Sequence, residues 1–376
     1  MKPSDRHRRL LSVACSTAAL LLSACGGGNS PAVLPGPPPT APYGIEVIVR
    51  TSENFSTPAD VTAFVDLAVQ NGVTAINLLV KQDEDAAIAS GSAFYASGIL
   101  PRAPGYATFD VLQTMIDATR SHNIKVRAWV PQFHDQVAVV AHPDWQMIAS
   151  IGGTAVPYTG SRQTEYFVNP LNPAVQDYER SILQEITTGY PVDGVMLDWV
   201  RFDNYNMDLG PTTRAAYQTL AGIDPLTMDF SVAGAARDQW NAFRMDGIAA
   251  YVHSVRQLLP ANLTVGAYIL PPEFIEVAQD ANRFNADVGT LAPMCYFVDW
   301  GYAIEWLWSS CLAQTAQKAG SAAIVPAMDS QLSDAQYQQI FAHLHSQYPQ
   351  IKTLAWFYHG RWDAARLQHL ARLSRL

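Results

Sequence analysis

Eight short apolar runs, separated by stretches of helical grammar, constrain this chain more than any other feature. The runs are IEVIVR (Ile45 to Arg50), TAINLLV (Thr74 to Val80), IKVRAWV (Ile124 to Val130) and DGVMLDW (Asp193 to Trp199). They continue with LTVGAYIL (Leu263 to Leu270), LAPMCYF (Leu291 to Phe297), AAIVPAM (Ala322 to Met328) and TLAWFYH (Thr353 to His359). Several are apolar throughout, as strands buried on both faces must be. TPADVTAFVDLAVQNG follows the first run with Ser56 or Thr57 as a cap, an apolar stripe and a Gly72 stop. TFDVLQTMIDATRSHN and NPAVQDYERSILQEITTG repeat the pattern, with Pro173 just inside a helix start. RDQWNAFRMDGIAAYVHSVRQLLP is the longest such stretch. Strands alternating with helices predict an α/β fold, a (β/α)8 TIM barrel with long loops after strands 3 and 4. An open doubly wound sheet is the weaker alternative, because RTSENFSTP stands where a Gly-rich phosphate loop would follow the first strand.

The barrel is expected to occupy residues 43–376. Residues 1–25 read as a secretion signal: Lys2, Arg6, Arg8 and Arg9 precede an apolar stretch from Leu10 to Ala24. Its ending, LLSAC, resembles a bacterial lipobox, which implies lipid attachment at Cys25, and Gly26 implies the outer membrane as destination. An ordinary signal peptide is the alternative. Residues 26–42, GGGNSPAVLPGPPPTAP, are too rich in Gly and Pro to build a core and read as a tether.

The net charge is −9, with 24 basic and 33 acidic residues. Removing the leader's four basic and one acidic residues leaves 20 against 32, or −12. Such a chain is a poor partner for nucleic acid. Of four cysteines, Cys15 and Cys25 belong to the leader. Cys295 and Cys311 remain, and either a disulfide or two buried thiols fits the spacing. His122, His134 and His142 are scattered without metal-ligand spacing, so neither a metal nor a cofactor is expected.

In a (β/α)8 barrel the chemistry sits at the C-terminal ends of the strands. Asp198 stands there on strand 4, inside an otherwise apolar run, where a charge is costly unless paired or used. Alternation places Met196, Asp198 and Val200 on one side, so Asp198 should face the barrel axis. It is the first candidate catalytic carboxylate, and an ion pair with Arg201 is the structural alternative. Glycoside hydrolysis normally needs a second carboxylate. Glu273 in LPPEF is the first choice, followed by Asp299, Asp329 and Asp203; a substrate acetamido group acting as nucleophile would make do with one. Trp129, Trp199, Tyr296, Trp300, Trp356 and Tyr358 fall near strand ends, where aromatic faces suit pyranose rings. Asn169, Gln132, Arg201 and His359 would partner hydroxyls. The expected substrate-binding set is therefore Arg201, Trp129, Asn169, Tyr296, Asp299, Asp329, Trp356 and His359.

The order FYASGILPRAPGYATFDVL, NIKVRAWV, HPDW, FVNPLNPAVQDY, VDGVMLDWVRF, QWNAFRMDGIAAYVHSVR and APMCYF resembles the glycosyl-hydrolase-like family 10 barrels, over about residues 43 to 362. The resemblance implies a bacterial envelope protein that cleaves glycan strands, with peptidoglycan among the substrates, and it implies that Asp198 and Arg201 line the site. The chain is also distantly similar to family 18 chitinases: DGVMLDWV keeps Asp193, Gly194 and Asp198, MCY supplies Tyr296 and LAW supplies Trp356. It departs from them at Met196, which replaces their middle Asp, and at Val200, which stands where their catalytic Glu would be. The chitinase mechanism does not carry over. The expected protein is an outer-membrane lipoprotein that hydrolyses an envelope or extracellular polysaccharide; alternatives are a non-catalytic polysaccharide-binding barrel and a carbohydrate deacetylase.

Overall fold

The apolar runs form eight parallel strands of one closed barrel, in a computed structural model that describes residues 43–83, 87–160 and 166–374. The expected leader, its Cys25 and the 26–42 tether lie outside the described residues. The barrel strands are β1 (Gly44–Val49), β2 (Val73–Leu79), β3 (Lys125–Pro131) and β4 (Gly194–Asp198). They continue as β5 (Thr264–Ile269), β6 (Thr290–Cys295), β7 in two pieces (Ala323–Ile324 and Ala327–Asp329) and β8 (Thr353–Phe357). Sequential strands pair all the way round, and β8 returns to β1, Gly44 opposite Thr353. Among the described residues the barrel thus closes on itself, with no strand standing at an open end of the sheet.

The split in β7 has a local cause. Pro326 has no N–H to give to a ladder, and β6 carries Pro293 close by. The β6–β7 seam therefore consists of Thr290 and Leu291 against Ala323 and Ile324, then Met294 and Cys295 against Ala327 and Met328. Beside this seam Cys295 and Cys311 form a disulfide, with Cα atoms 6.0 Å apart. It ties the end of β6 to the helical segment Leu307–Leu312 that follows.

Helices cover the barrel where the sequence grammar asks for them. Pro58–Gln70 begins on a capping box of Thr57 and Asp60, and Pro173–Gly189 begins on Asn172 with Pro173 in its first turn. Ala235–Leu258 is the longest helix described. Between β5 and β6 the described residues form no α-helix, only two 3-10 turns, Ile275–Val277 and Ala281–Arg283. Gln279 satisfies backbone groups along this connection. Its Oε1 accepts from Leu270 N at 2.8 Å, and its Nε2 donates to the carbonyls of Tyr268 and Val200 at 3.1 and 3.3 Å.

The long loops after β3 and β4 are anchored from below. The β3 loop carries an antiparallel hairpin, Ile148–Ile151 with Thr154–Pro157. Arg244, fully buried on the long helix, donates to the carbonyls of Asn204 and Met207 at 2.6 Å and of Glu276 at 2.9 Å, stapling the β4 and β5 loops together. Lys81, just after β2, meets Glu179 at 2.7 Å and Asp135 at 2.8 Å with no exposure of any partner. Such a group must be complete, because removing one member leaves a buried charge unpaired. Gly91 is required beside it: its φ is +90°, and a Cβ there would lie 2.1 Å from Asp135 Oδ1.

Candidate active site

Asp198 is the last residue of β4 and is 7% exposed. Both carboxylate oxygens have donors: Trp129 Nε1 reaches Oδ2 at 2.9 Å, and the Trp199 amide reaches Oδ1 at 2.8 Å. The second bond exists because Trp199 adopts a left-handed backbone, φ +54°. That conformation costs a tryptophan on the order of 1–3 kcal/mol and persists only where the surroundings enforce it. Here the indole is held between the Arg201 guanidinium, 4.2 Å from its centroid, and the His134 ring at 4.8 Å. Burial raises the Asp198 pKa; the two N–H donors and then the charges of Arg201 and Arg50 pull the other way. Arg201 itself binds Asp203 at 3.2 Å and the Phe202 carbonyl at 3.0 Å.

A second buried carboxyl stands on β7. Asp329 is 5% exposed and accepts from the Val298 amide at 3.0 Å. Burial, then the neighbouring charge of Asp299 and a carboxyl–carboxyl hydrogen bond with it, push Asp329 up to about 7. Two carboxyl groups in contact share a proton rather than ionise together.

Tyr296 stands just beyond β6, in the part of the barrel order between β4, which carries Asp198, and β7, which carries Asp329. Burial raises its pKa far above the ordinary range, and the charges of Asp198 and Asp329 add to this, so its hydroxyl keeps its proton. Its ring packs on Phe357 at 5.4 Å and on Trp300 at 5.8 Å. Phe357 also meets Trp129 at 6.3 Å and His359 at 4.6 Å. Arg50, directly after β1, completes the ring: it pairs with Asp83 at 2.7 Å, and its guanidinium lies 5.8 Å from both Trp129 and Phe357. Deeper in the barrel Tyr268 meets Trp129 at 5.9 Å; its hydroxyl is buried with no hydrogen-bond partner among the described residues. Beneath it Glu46 and Arg127 form a buried pair at 2.6 Å.

Of the residues chosen from sequence, Asp198, Trp129, Tyr296, Asp299, Asp329 and His359 thus gather at the mouth. Others stand apart. Glu273 is exposed on the β5 loop, where it accepts from Trp306 Nε1 at 2.7 Å and from the Ser310 hydroxyl. Asn169 bonds Thr213 Oγ1 at 2.9 Å and caps a turn through Leu171 N. Gln132 bonds the Tyr251 hydroxyl on the long helix, and Asp203 accepts from Tyr158. Trp356 points into the helix layer and packs on Tyr337 at 5.1 Å, and Tyr358 lies under Arg366. Strand parity explains the last two: Phe357 and His359 share the inner side of β8, so Trp356 and Tyr358 must share the outer one. Arg50, Asp83, Phe357 and Tyr268 escaped the sequence reading. Arg50 carries the same signal as Asp198, a charge closing an apolar strand. Among the described residues no three His, Cys, Asp or Glu side chains are grouped to hold a metal ion.

Comparison with known proteins agrees with this picture. The glycoside hydrolase domain of PgaB (BpsB) from Bordetella bronchiseptica superposes with a TM-score of 0.69 at 14% identity, covering 89% of this chain and 98% of that one. Alpha-L-fucosidase isoenzyme 2 from Paenibacillus thiaminolyticus gives 0.62 at 16% identity, over 89% of this chain and 49% of that one. At these identities the likeness is one of fold. An S-layer-related protein of Niallia circulans is 27% identical over 239 residues, 55% of this chain and 15% of that protein. Glycosyl hydrolase DigH of Escherichia coli K12 is 29% identical over 162 residues, 38% of this chain and 33% of that protein. The chain thus matches a third or less of the length of these curated relatives. Residues 49–287, more than half of the chain and including β2 to β5 with Asp198, match the family described as glycosyl hydrolase-like 10, and the chain belongs to that family.

Proposed function

We propose that this protein hydrolyses O-glycosidic bonds of an envelope or extracellular polysaccharide, peptidoglycan glycan strands or an amino-sugar polymer, from a lipid anchor at Cys25. The observation that carries the reading is the pair of buried carboxyls, Asp198 and Asp329, each the last residue of a barrel strand and set in an aromatic mouth. Their surroundings differ, which separates their roles. Asp329 keeps its proton up to about 7 and is the general acid: it protonates the glycosidic oxygen as the bond to the anomeric carbon breaks. Asp198, held by two N–H donors and facing Arg201 and Arg50, is the anion that offsets the positive charge developing on the sugar ring. Water then gives its hydroxide to the anomeric carbon, and the released proton restores the acid. Tyr296 donates to a substrate oxygen between the two.

The test is digestion of a polysaccharide panel, including peptide-free peptidoglycan, with new reducing ends counted. Wild-type protein should release them, and Asp198→Asn should slow their release roughly 10²-fold or more. Binding without any release would favour the non-catalytic barrel, to which the buried, apolar Val200 lends support.

A further inference from the structure

A band of aromatic and apolar side chains runs away from Tyr296 across the loops after β5 and β6. Trp300 meets Tyr296 at 5.8 Å, Phe274 at 5.5 Å and Trp306 at 5.8 Å, and Trp306 stacks on Tyr302 at 4.6 Å, 14° from parallel. Trp300 and Phe274 are half-buried yet stand outside the hydrophobic core. Beside them Ile275 and Val298 are 51% and 42% exposed. A contiguous apolar patch at the rim of a pocket needs a reason, since water-facing aromatics are costly unless something covers them. Tyr296, Tyr302 and Trp306 pack against the core, but Trp300, Phe274, Ile275 and Val298 do not, so folding leaves this part of the patch uncovered. Hydrogen-bonding acids are set within the band: Asp299 adjoins Trp300, and Glu273 receives the Trp306 indole.

We infer that this band is a binding rail for the polysaccharide beyond the sugar unit at Asp198, so that the substrate is a chain crossing the mouth rather than a single terminal residue. This rests on the glycoside hydrolase reading and deepens it. Three observations favour a glycan over other occupants. The rail is continuous with the mouth through Tyr296. Its aromatic faces match the apolar faces of pyranose rings, and the acids between them accept hydroxyl hydrogens. A membrane surface would call for basic residues, and the chain is acidic overall.

The experiment measures binding apart from cleavage. In the Asp198→Asn background, affinities are measured by calorimetry for chito-oligosaccharides of two to six units and for soluble peptide-free peptidoglycan strands. Affinity should rise with length, and Trp300→Ala should remove the gain, lowering affinity for the longest chains about tenfold, the loss of one aromatic stack of about 1.4 kcal/mol. Affinity for the dimer should change little. Phe274→Ala serves as the second variant, and each is used only if its unfolding midpoint matches the parent's. In the otherwise wild-type enzyme Trp300→Ala should slow cleavage of polymer more than cleavage of short chains. Affinity independent of length, or a folded Trp300→Ala that keeps the length dependence, would overturn the rail while leaving the hydrolase reading standing. Length-dependent binding that needs Trp300, with no reducing ends released by wild type, would sink the hydrolase reading and keep the rail.

Discussion

Replacing Asp329 with Asn separates the role of this carboxyl in stability from its role in catalysis. The folded carboxyl titrates at about 7 and an unfolded one at 3.8. Below 3.8 both states are protonated, and the folded state keeps its full stability. As pH rises from 3.8 to 7 the unfolded chain releases its proton while the folded chain holds it, so stability falls. Three pH units at 1.36 kcal/mol each set the loss at about 4 kcal/mol. Asn cannot ionise. Its Oδ1 still accepts from the Val298 amide, and its Nδ2 donates to Asp299 as the shared proton did. Urea unfolding followed by circular dichroism at pH 4 and pH 8 should therefore show Asp329→Asn gaining about 4 kcal/mol on wild type between the two. With catalysis the effect reverses: kcat/KM should fall by roughly 10²-fold or more, and the alkaline limb near pH 7 should disappear. Equal pH slopes of stability in the two proteins would refute the shared-proton picture. An unchanged pH–rate profile in a folded variant would remove Asp329 from the mechanism.

Other outcomes follow from the same geometry. Asp198→Asn leaves either the Trp129 indole or the Trp199 amide without its acceptor, at a cost of about 1–3 kcal/mol partly offset by losing a buried charge, so the fold should survive while turnover drops roughly 10²-fold or more; reducing-end release at the wild-type rate would return attention to the loop acids. Thiol titration of denatured, unreduced mature protein should find Cys295 and Cys311 blocked, and Cys295→Ala with Cys311→Ala should lower stability by about 3 kcal/mol, the figure for a loop of this length. Cys25→Ser should release the protein from membranes, as the LLSAC ending implies; a variant that stays bound and is processed as wild type argues against lipidation.

The architecture was legible from the chain alone because it rests on short-range grammar. Apolar runs of strand length, caps such as Thr57 and Asn172, and stops such as Gly72 are local, and a barrel follows once eight such units are counted. Asp198 was legible for the same reason: a carboxylate closing an apolar strand carries a desolvation cost that neighbouring residues alone reveal. What the tertiary structure decided was facing and pairing. Inward and outward residues differ by one step in β8, so Trp356 went to the helix layer and Phe357 to the mouth, although both look alike in sequence. Glu273 and Asp329 were comparable acids until the folded chain set one on an exposed rim with Trp306 and buried the other against Asp299. The disulfide and the helix-free connection after β5 belong to the same class, the first depending on a 6.0 Å approach and the second on Gln279 reaching three backbone groups at once. Strand and helix periods are written in neighbouring residues, whereas the partner of a buried acid is chosen by side chains that only the closed barrel brings within hydrogen-bond reach.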